Sequence, residues 1–579
     1  MPTARRLSSL SALVALYSLC NAYPAVAAIV PAGRLTTWNP GIPGGIPART
    51  TVCATINAST YGNGTSDASA GIQAAIDACP TGQVVRLSAG NFLVNGADPI
   101  TINKGIVLRG AGPNATKLRK TSAAASPVIV IGERWVDEAA SVNLSVNAPK
   151  GATSVQVAST SGFAVGQVVL VDEKTDNSYV YWGADPASQP GGEARGWFTR
   201  YDRPIGQMVE IATISGNTVS FTTSLHIALD TAHQAQLTRF AIPYGAKHAG
   251  LEDLYVRGGG DDNITIRFAK YSWVRNVESD WSLGDSIALD RSFSCVVRDS
   301  YVHNAADPYP GGNGYLLSIG EYTADSLVEN NIFINGNKVM VMRASGGGNV
   351  IAYNYFDNGY IENNPDWVET GMNASHMTCP HFELFEGNQA FNIDGDNTWG
   401  GAVYNTFFRN HATGKRRGGV PGVPLADTAN RRAVGLMWGH YYYSFVGNVL
   451  GSAGQTPAPY SAFAYEDVFP WADDPVAMWR LGYNPEDWNA AAEARVVSTT
   501  HRHGNFDYVT NTVKWTTGYD QTLPSSLYLT SKPGFFGSLP WPWVNPSGAT
   551  KLATLPARAR YDAGTPNAGT DAIFGDGFQ

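Results

Sequence analysis

SLVENNIFINGN, residues 326–337, sets two asparagines side by side, Asn330 and Asn331, in an apolar run that otherwise reads as a strand. Asn is a poor strand former and favours turns. The pattern returns as VIAYNYF (350–356), LFEGNQAF (384–391), FFRNHA (407–412) and SFVGNVL (444–450). Aligning each run on the Asn or Asp after its apolar stretch gives Asp253, Asn276, Asp299, Asn331, Asn354, Asn388, Asn410 and Asn448. The intervals are 23, 23, 32, 23, 34, 22 and 38, so one unit recurs and three copies carry insertions. β-type segments at this period, without the leucine spacing of leucine-rich repeats, imply a parallel β-solenoid. Equivalent residues then stack about 4.8 Å apart, and stacked Asn amides can hydrogen-bond along the pile while the chain turns a corner. Asn511, in RHGNFDYVTNTVKW (502–515), is expected at the turn of a further coil.

The N-terminal half carries a second signature, YGNGTSDASAGIQAAIDACPTGQVVRLSAGNFLV (61–94). It resembles the opening pattern of the pectate-lyase-like, glycoside-hydrolase-28-related β-helix superfamily. The resemblance implies a right-handed parallel β-helix, and covers residues 50–112 and 240–450 as a pattern. It implies a fold more than a reaction, because hydrolases, lyases, epimerases, tailspikes and non-enzymes share it. Asp67 can cap a helix whose Ile72, Ile76 and Cys79 share a face and shield the first coil.

Five segments follow from these patterns. Residues 1–27 read as a secretory signal, with MPTARR as the positive start, an apolar middle and AVA before Ala28. Residues 28–137 hold the cap and first coils, and 138–235 alternate apolar and polar residues as a small all-β insert. The main helix spans 236–520. In 521–579, a Pro- and aromatic-rich strap over the last coil precedes a tail, GTDAIFGDGFQ, resembling C-terminal tags of certain bacterial secreted proteins. A secreted, extracellular or periplasmic protein without a membrane span is expected. In that compartment Cys53 and Cys79 can pair, while Cys295 and Cys379 are either buried thiols or a bridge.

The formal net charge is −8, and the basic cluster Lys415–Arg417 reads as a solvated loop, so nucleic acid is not the expected partner. The insertions HNAADPYPGGNGY (303–315), DNGYIENNPDWVETGMNASHMT (357–378) and GKRRGGVPGVPLADTANRRA (414–433) fall at a similar point of the coil. They should rise on one side as the wall of a groove suited to a polysaccharide.

Three chemistries compete there. Glycoside hydrolysis needs two carboxylates. NIDGDNTWG (392–400) offers Asp394 and Asp396 on one strand face as acid and base, with Glu369 the main rival and Trp399 as a stacking platform. The alternative is two polar residues in a turn with Asn397. Asp262 and Asp285, at the same offset from the turn residue as Asp396, stand on adjacent coils. The NTD…DD…GHG…RIK set of the hydrolases in the superfamily is absent, which argues against pectin-type hydrolysis.

Elimination on a uronate polymer needs a base and a cation to neutralise the carboxylate. Lys338 and Arg343 fit, with His376 as acid, base or positioning group, and Ca²⁺ is expected only in this case. Arg343 can instead simply pair with Asp290 or Glu321. Non-catalytic glycan binding is the third reading. Asp366, Trp367, Glu321 and Asp285 complete the expected substrate-binding set. No metal spacing, nucleophile elbow or phosphate loop is present, and no cofactor is expected for hydrolysis. Polysaccharide hydrolysis by Asp394 and Asp396 is the preferred expectation.

Overall fold

The computed structural model describes residues 29–122, 126–176, 178–182, 200, 202–309, 312–361, 370–416, 432–453, 464–467, 477–484 and 491–567. The chain forms a right-handed parallel β-helix with three strands per coil. One row of strands includes Val296–Arg298, Leu327–Glu329, Val350–Ala352, Leu384–Glu386 and Thr406–Phe408. A second includes Tyr301–His303, Ile332–Gly336, Tyr355–Gly359 and Gln389–Ala390. The third includes Ile264–Arg267, Ile287–Asp290, Leu317–Gly320, Met340–Arg343, Met372–Met377 and Ile393–Gly395. Each strand pairs in parallel with its counterpart one coil away. The inward residues, such as Ile264, Ile287, Leu317, Met340, Met372 and Ile393, stack into one continuous core.

Between the first two rows the chain bends at two successive residues, and each has its own ladder. The outer one has positive φ: Asp253 (57°), Asn276 (51°), Asp299 (57°), Asn330 (57°), Tyr353 (56°) and Arg409 (52°). The inner one is fully buried. Asn331, Asn354, Asn388, Asn410, Asn448 and Asn505 each place an amide N–H on the carboxamide oxygen of the next, at 2.9–3.1 Å, as far as Asn505. The same nitrogens reach back to carbonyls such as Val297, Val328 and Ile351. The expected series therefore slips by one residue at Asn331: Asp253, Asn276 and Asp299 align with Asn330, because Tyr301 pairs with Ile332. Within this ladder the last coil carries Asn505; Asn511 (φ 51°) instead turns the hairpin between Asn505–Asp507 and Thr512–Lys514.

The helix Ser69–Ala78 packs Ile72 and Ile76 on the first coils, and Asp67 Oδ1 accepts from the Ser69 N–H at 2.9 Å. Cys53 and Cys79 are disulfide-bonded, and Cys295 and Cys379 are buried free thiols. The insert is a six-stranded sheet from Glu138–Asn143 to Gln236–Phe240, beyond the expected boundary at 235.

The described residues before the first coil and after the last lie along the flank of the solenoid. The C-terminal strap touches the last coil, where Lys551 lies over the Phe506 ring, and extends well beyond it. Leu527 N–H bonds Glu386, Trp543 Nε1 bonds the Gly387 carbonyl, and Arg560 reaches Asn330. Its path runs back across many coils because the aromatic side chains cover outward Ile332, Tyr353, Tyr355 and Phe408. The N-terminal strap is held by Trp38 on the Phe382 carbonyl and by a Thr36–His226–Asp325 chain, at 2.7 and 2.9 Å. Among the described residues no helix is long and apolar enough to cross a membrane.

Candidate functional site

The three long insertions all join the second strand row to the third, so each leaves the coil at the same corner; residues 310–311, 362–369 and 417–431 lie outside the described residues. Four consecutive coils of that sheet fall in register as DNITIR (262–267), DSIALD (285–290), YLLSIG (315–320) and KVMVMR (338–343). The first column stacks Asp262, Asp285, Tyr315 and Lys338; the last stacks Arg267, Asp290, Gly320 and Arg343. Between them the outward residues are small: Thr265, Ala288, Ser318 and Val341. Two charged columns flanking a low floor make a trough. Gly320 deepens it, since a Cβ there would stand 2.6 Å from Asp290 Oδ1.

The trough is a cleft of about 290 Å³, lined by Asp261, Asp262, Arg267, Asp285, Asp290, Asn313, Glu321, Arg343 and Met377 among others. Asp262 Oδ1 accepts from the Asp285 N–H at 2.9 Å, and its Oδ2 accepts from Thr265 at 2.7 Å. Arg343 donates to Asp285 Oδ2 at 2.8 Å, and Arg267 to Asp290 Oδ2 at 2.8 Å. Arg291 is paired with Glu321. Arg343 thus satisfies Asp285, and not Asp290 or Glu321.

These environments push the carboxyl groups apart. Burial, then the Asp285 and Asp261 charges, raise the Asp262 pKa well above the usual range. Burial also raises Asp285, to about 6, against the pull of Arg343. At Asp290 burial acts upward, but Arg267 and Arg343 outweigh it and the pKa falls. Carboxylates of unlike proton affinity facing one cleft are the arrangement that acid–base chemistry needs.

The expected acid–base pair of Asp394 and Asp396 does not form. Asp394 is 1% exposed, and Arg432 closes both its oxygens at 2.9 and 2.6 Å. Asp396 binds His376 Nδ1 at 2.8 Å and Asn373 at 2.5 Å, with Lys338 at 3.7 Å. Burial would raise its pKa, but His376 and Lys338 hold it far below the usual range. Such a carboxylate stays ionised and orients His376; it cannot deliver a proton. Nor does Asp396 share the column of Asp262 and Asp285. Ile393, not a residue after Asp396, is the in-register partner of Ile264, and the offset count was stretched by the turn that follows.

His376 emerges from a bulge. Asn373 pairs with Val341 and Met377 with Arg343, leaving Ala374, Ser375 and His376 opposite Met342. Its Nε2 meets the Tyr315 hydroxyl at 3.2 Å, and the Arg343 guanidinium lies 6.0 Å from the Tyr315 ring. A chain Asp396–His376–Tyr315 thus abuts the cleft beside Arg343. Trp399 packs on Ala344 and Met377 at that end. Asp366, Trp367 and Glu369 lie outside the described residues. Among the described residues no group of three or more His, Cys, Asp or Glu side chains is placed to hold a metal ion.

Asp262 was legible as a neighbour of Asp285. Tyr315 was missed, although aligning YLLSIG under DSIALD would have placed it.

No family model and no curated protein matches this chain. Solved structures of similar fold include the tailspike protein gp49 from Pseudomonas phage LKA1, at 16% identity and TM-score 0.46, over 69% of this chain and 60% of that one. The Pseudomonas phage phi297 tailspike gp61 matches at 13% and 0.44, over 78% and 82%. The Azotobacter vinelandii mannuronan C-5 epimerase AlgE6 A-module matches at 14% and 0.32, over 69% and 88%. The chain spans under two thirds of the first of these.

Proposed function

We propose that this protein hydrolyses a polysaccharide in the cleft of the third sheet, with Asp262 as proton donor and Asp285 as its ionised partner. The observation that carries this is the pair of buried carboxyls on adjacent coils, facing an open trough with different proton affinities. A general acid must hold its proton near the working pH, and burial beside Asp285 does that for Asp262. Arg343 keeps Asp285 available in the ionised form. The low floor of Thr265, Ala288, Ser318 and Val341 lets a flat, linear chain approach both groups.

The charge of the cleft points to the substrate class. With Asp262 protonated, Asp261, Asp285, Asp290 and Glu321 stand against Arg267 and Arg343, and both guanidiniums are already ion-paired. Such a surface repels a polyuronate, so a neutral glycan is the favoured substrate.

Elimination is the second reading, favoured by the Tyr315–His376 contact beside Arg343 and Lys338. A base and an acid would lie on one side of the cleft, and a bound Ca²⁺ would have to offset the acidic lining.

The test is a panel of dextran, laminarin, galactomannan, xylan, alginate and polygalacturonate, reading new reducing ends together with the ultraviolet absorbance of an unsaturated uronate. Reducing ends from a neutral polymer without absorbance support hydrolysis. Both signals rising on a uronate polymer would move the chemistry to Tyr315 and His376. Binding without either signal would make the groove a glycan receptor.

A further inference from the structure

We infer that Trp135 is the stacking platform of a glycan subsite on the cleft's N-terminal side, a proposal that rests on the hydrolase reading of that cleft. Trp135 is 75% exposed, the most exposed large apolar side chain among the described residues. Trp is large and usually mostly buried, so an indole standing in water needs a reason. Its position supplies one. It follows the strand Ile129–Gly132, where Gly132 pairs with Arg267, and Arg267 in turn pairs with Asp290. The ring therefore stands one coil before the column that forms the cleft wall.

A single side chain joins the two. The Arg267 guanidinium lies 5.6 Å from the Trp135 ring centroid, and the Arg134 guanidinium lies 5.9 Å away. Arg267 Nη1 donates to the Arg134 carbonyl at 2.8 Å, and its Nη2 to Asp290 at 2.8 Å. Arg267 itself lines the cleft. The guanidinium is held at both ends, so the indole beside it is braced rather than loose. Cation–π contact fixes the ring while leaving most of its surface to solvent.

Two further exposed aromatics lie near the cleft-lining residues in sequence. The other exposed large aromatics among the described residues are Trp281, 46% exposed, and Tyr309, 47% exposed. Trp281 precedes cleft-lining Gly284, and Tyr309 precedes cleft-lining Gly312 and Asn313. Both lie within three residues of the lining in sequence, and Trp135 is tied to it by contact, through Arg267.

An indole offers a flat apolar face to the axial C–H face of a pyranose, and Arg267 beside it offers N–H donors to ring hydroxyls. A sugar on Trp135 belongs to the same chain as one at Asp262 and Asp285 only if the chain is long enough to span both. The platform therefore selects for length: long oligomers reach it, and short ones occupy the cleft alone.

The experiment uses Asp262→Asn, which keeps the groove but removes the proton donor, with and without Trp135→Ala and Trp135→Phe. Binding is measured by titration calorimetry against size-graded oligomers of dextran, laminarin, galactomannan and xylan. Trp135→Ala should weaken binding of the longest oligomers by about tenfold and leave the shortest unchanged. Trp135→Phe should keep most of the affinity. With Asp262 intact, Trp135→Ala should raise KM with kcat little changed, because the contact is equal in ground and transition states. Affinities of the Ala variant equal to those of its Trp135 parent at every length would overturn the subsite while leaving the hydrolase reading in place. Absence of binding by any oligomer to any variant would remove the groove reading and the subsite with it.

Discussion

Arg343 and Asp285 meet at 2.8 Å on the cleft wall, and this contact governs the pH dependence expected of the site. Hydrolysis needs Asp285 ionised and Asp262 protonated. Burial raises Asp285 to about 6, and Arg343 acts in the opposite sense. The rate should therefore climb as pH rises through about 6, and fall only where Asp262 loses its proton. Replacing Arg343 with Ala removes the stabilising charge, so the ascending limb should move to higher pH. A profile of kcat/KM for both proteins checks this; a limb that stays in place would mean that Asp285 is not the group seen. Asp396 illustrates how an acidic side chain in the groove can be structural. His376 and Lys338 hold it ionised, and its proton affinity is too low for a donor.

At the scale of the element, the inner Asn ladder fixes each corner. Asn388 donates to the Ile351 carbonyl and to Asn410, and accepts from Asn354, all inside the protein. Asn388→Ala leaves several of these groups unmet, each costing about 1–3 kcal/mol. Denaturant unfolding should show a loss of ~2 kcal/mol or more, whereas substitution of an exposed Asn of ordinary backbone conformation such as Asn57 (φ −95°) should change little. The same ladder explains which features were legible in the sequence. The repeat and its corner stand out because Asn is out of place in a strand. The slip at Asn331 arose because the corner has two residues, one at positive φ and one buried, and polar residues occur in both columns. Asp262 and Asp285 were legible because their coils have no insertion between them, and strict spacing preserves register. Asp394 and Asp396 were misjudged because the Asn373–Met377 bulge and the longer turn after Asp396 break that spacing. No local pattern announced Arg432 as the partner of Asp394, since their contact is between coils.

Over the whole molecule, buried titratable groups set the stability profile. Glu383 is fully enclosed and burial raises its pKa to about 8, against hydrogen bonds from Ser345, Gly347 and Asn349. Glu386 is raised to about 7 by burial as well. In the unfolded chain both titrate near 4.3, so between that value and about 8 the folded state binds more protons. Their contribution is complete below the unfolded value and is lost as pH rises through the folded ones. Burial lowers His381 and His411 to about 4, and acts in the opposite direction only below about 6.5. Thermal stability should therefore decline between about pH 6.5 and about pH 8 and level off above that. Glu383→Gln should flatten that decline and raise the melting temperature at pH 9 by several degrees; an unchanged slope would show that Glu383 is not the source.

The straps add a further link between parts far apart in sequence. Ile29 meets His501, Arg560 meets Asn330 and Trp38 meets Phe382, so the segments holding Ile29, Trp38 and Arg560 brace the solenoid that presents the trough.

Hydrolysis in this cleft requires Asp262 to act with water. The measurement that tests it most directly is the digestion of the glycan panel in heavy-oxygen water by the wild-type protein and by Asp262→Asn, with mass spectrometry of the products. The account predicts fragments of a neutral polymer carrying heavy oxygen at the new end, with the variant slower by about 10²–10⁴-fold and still folded. Unsaturated fragments without heavy oxygen, or full activity in the variant, would contradict it.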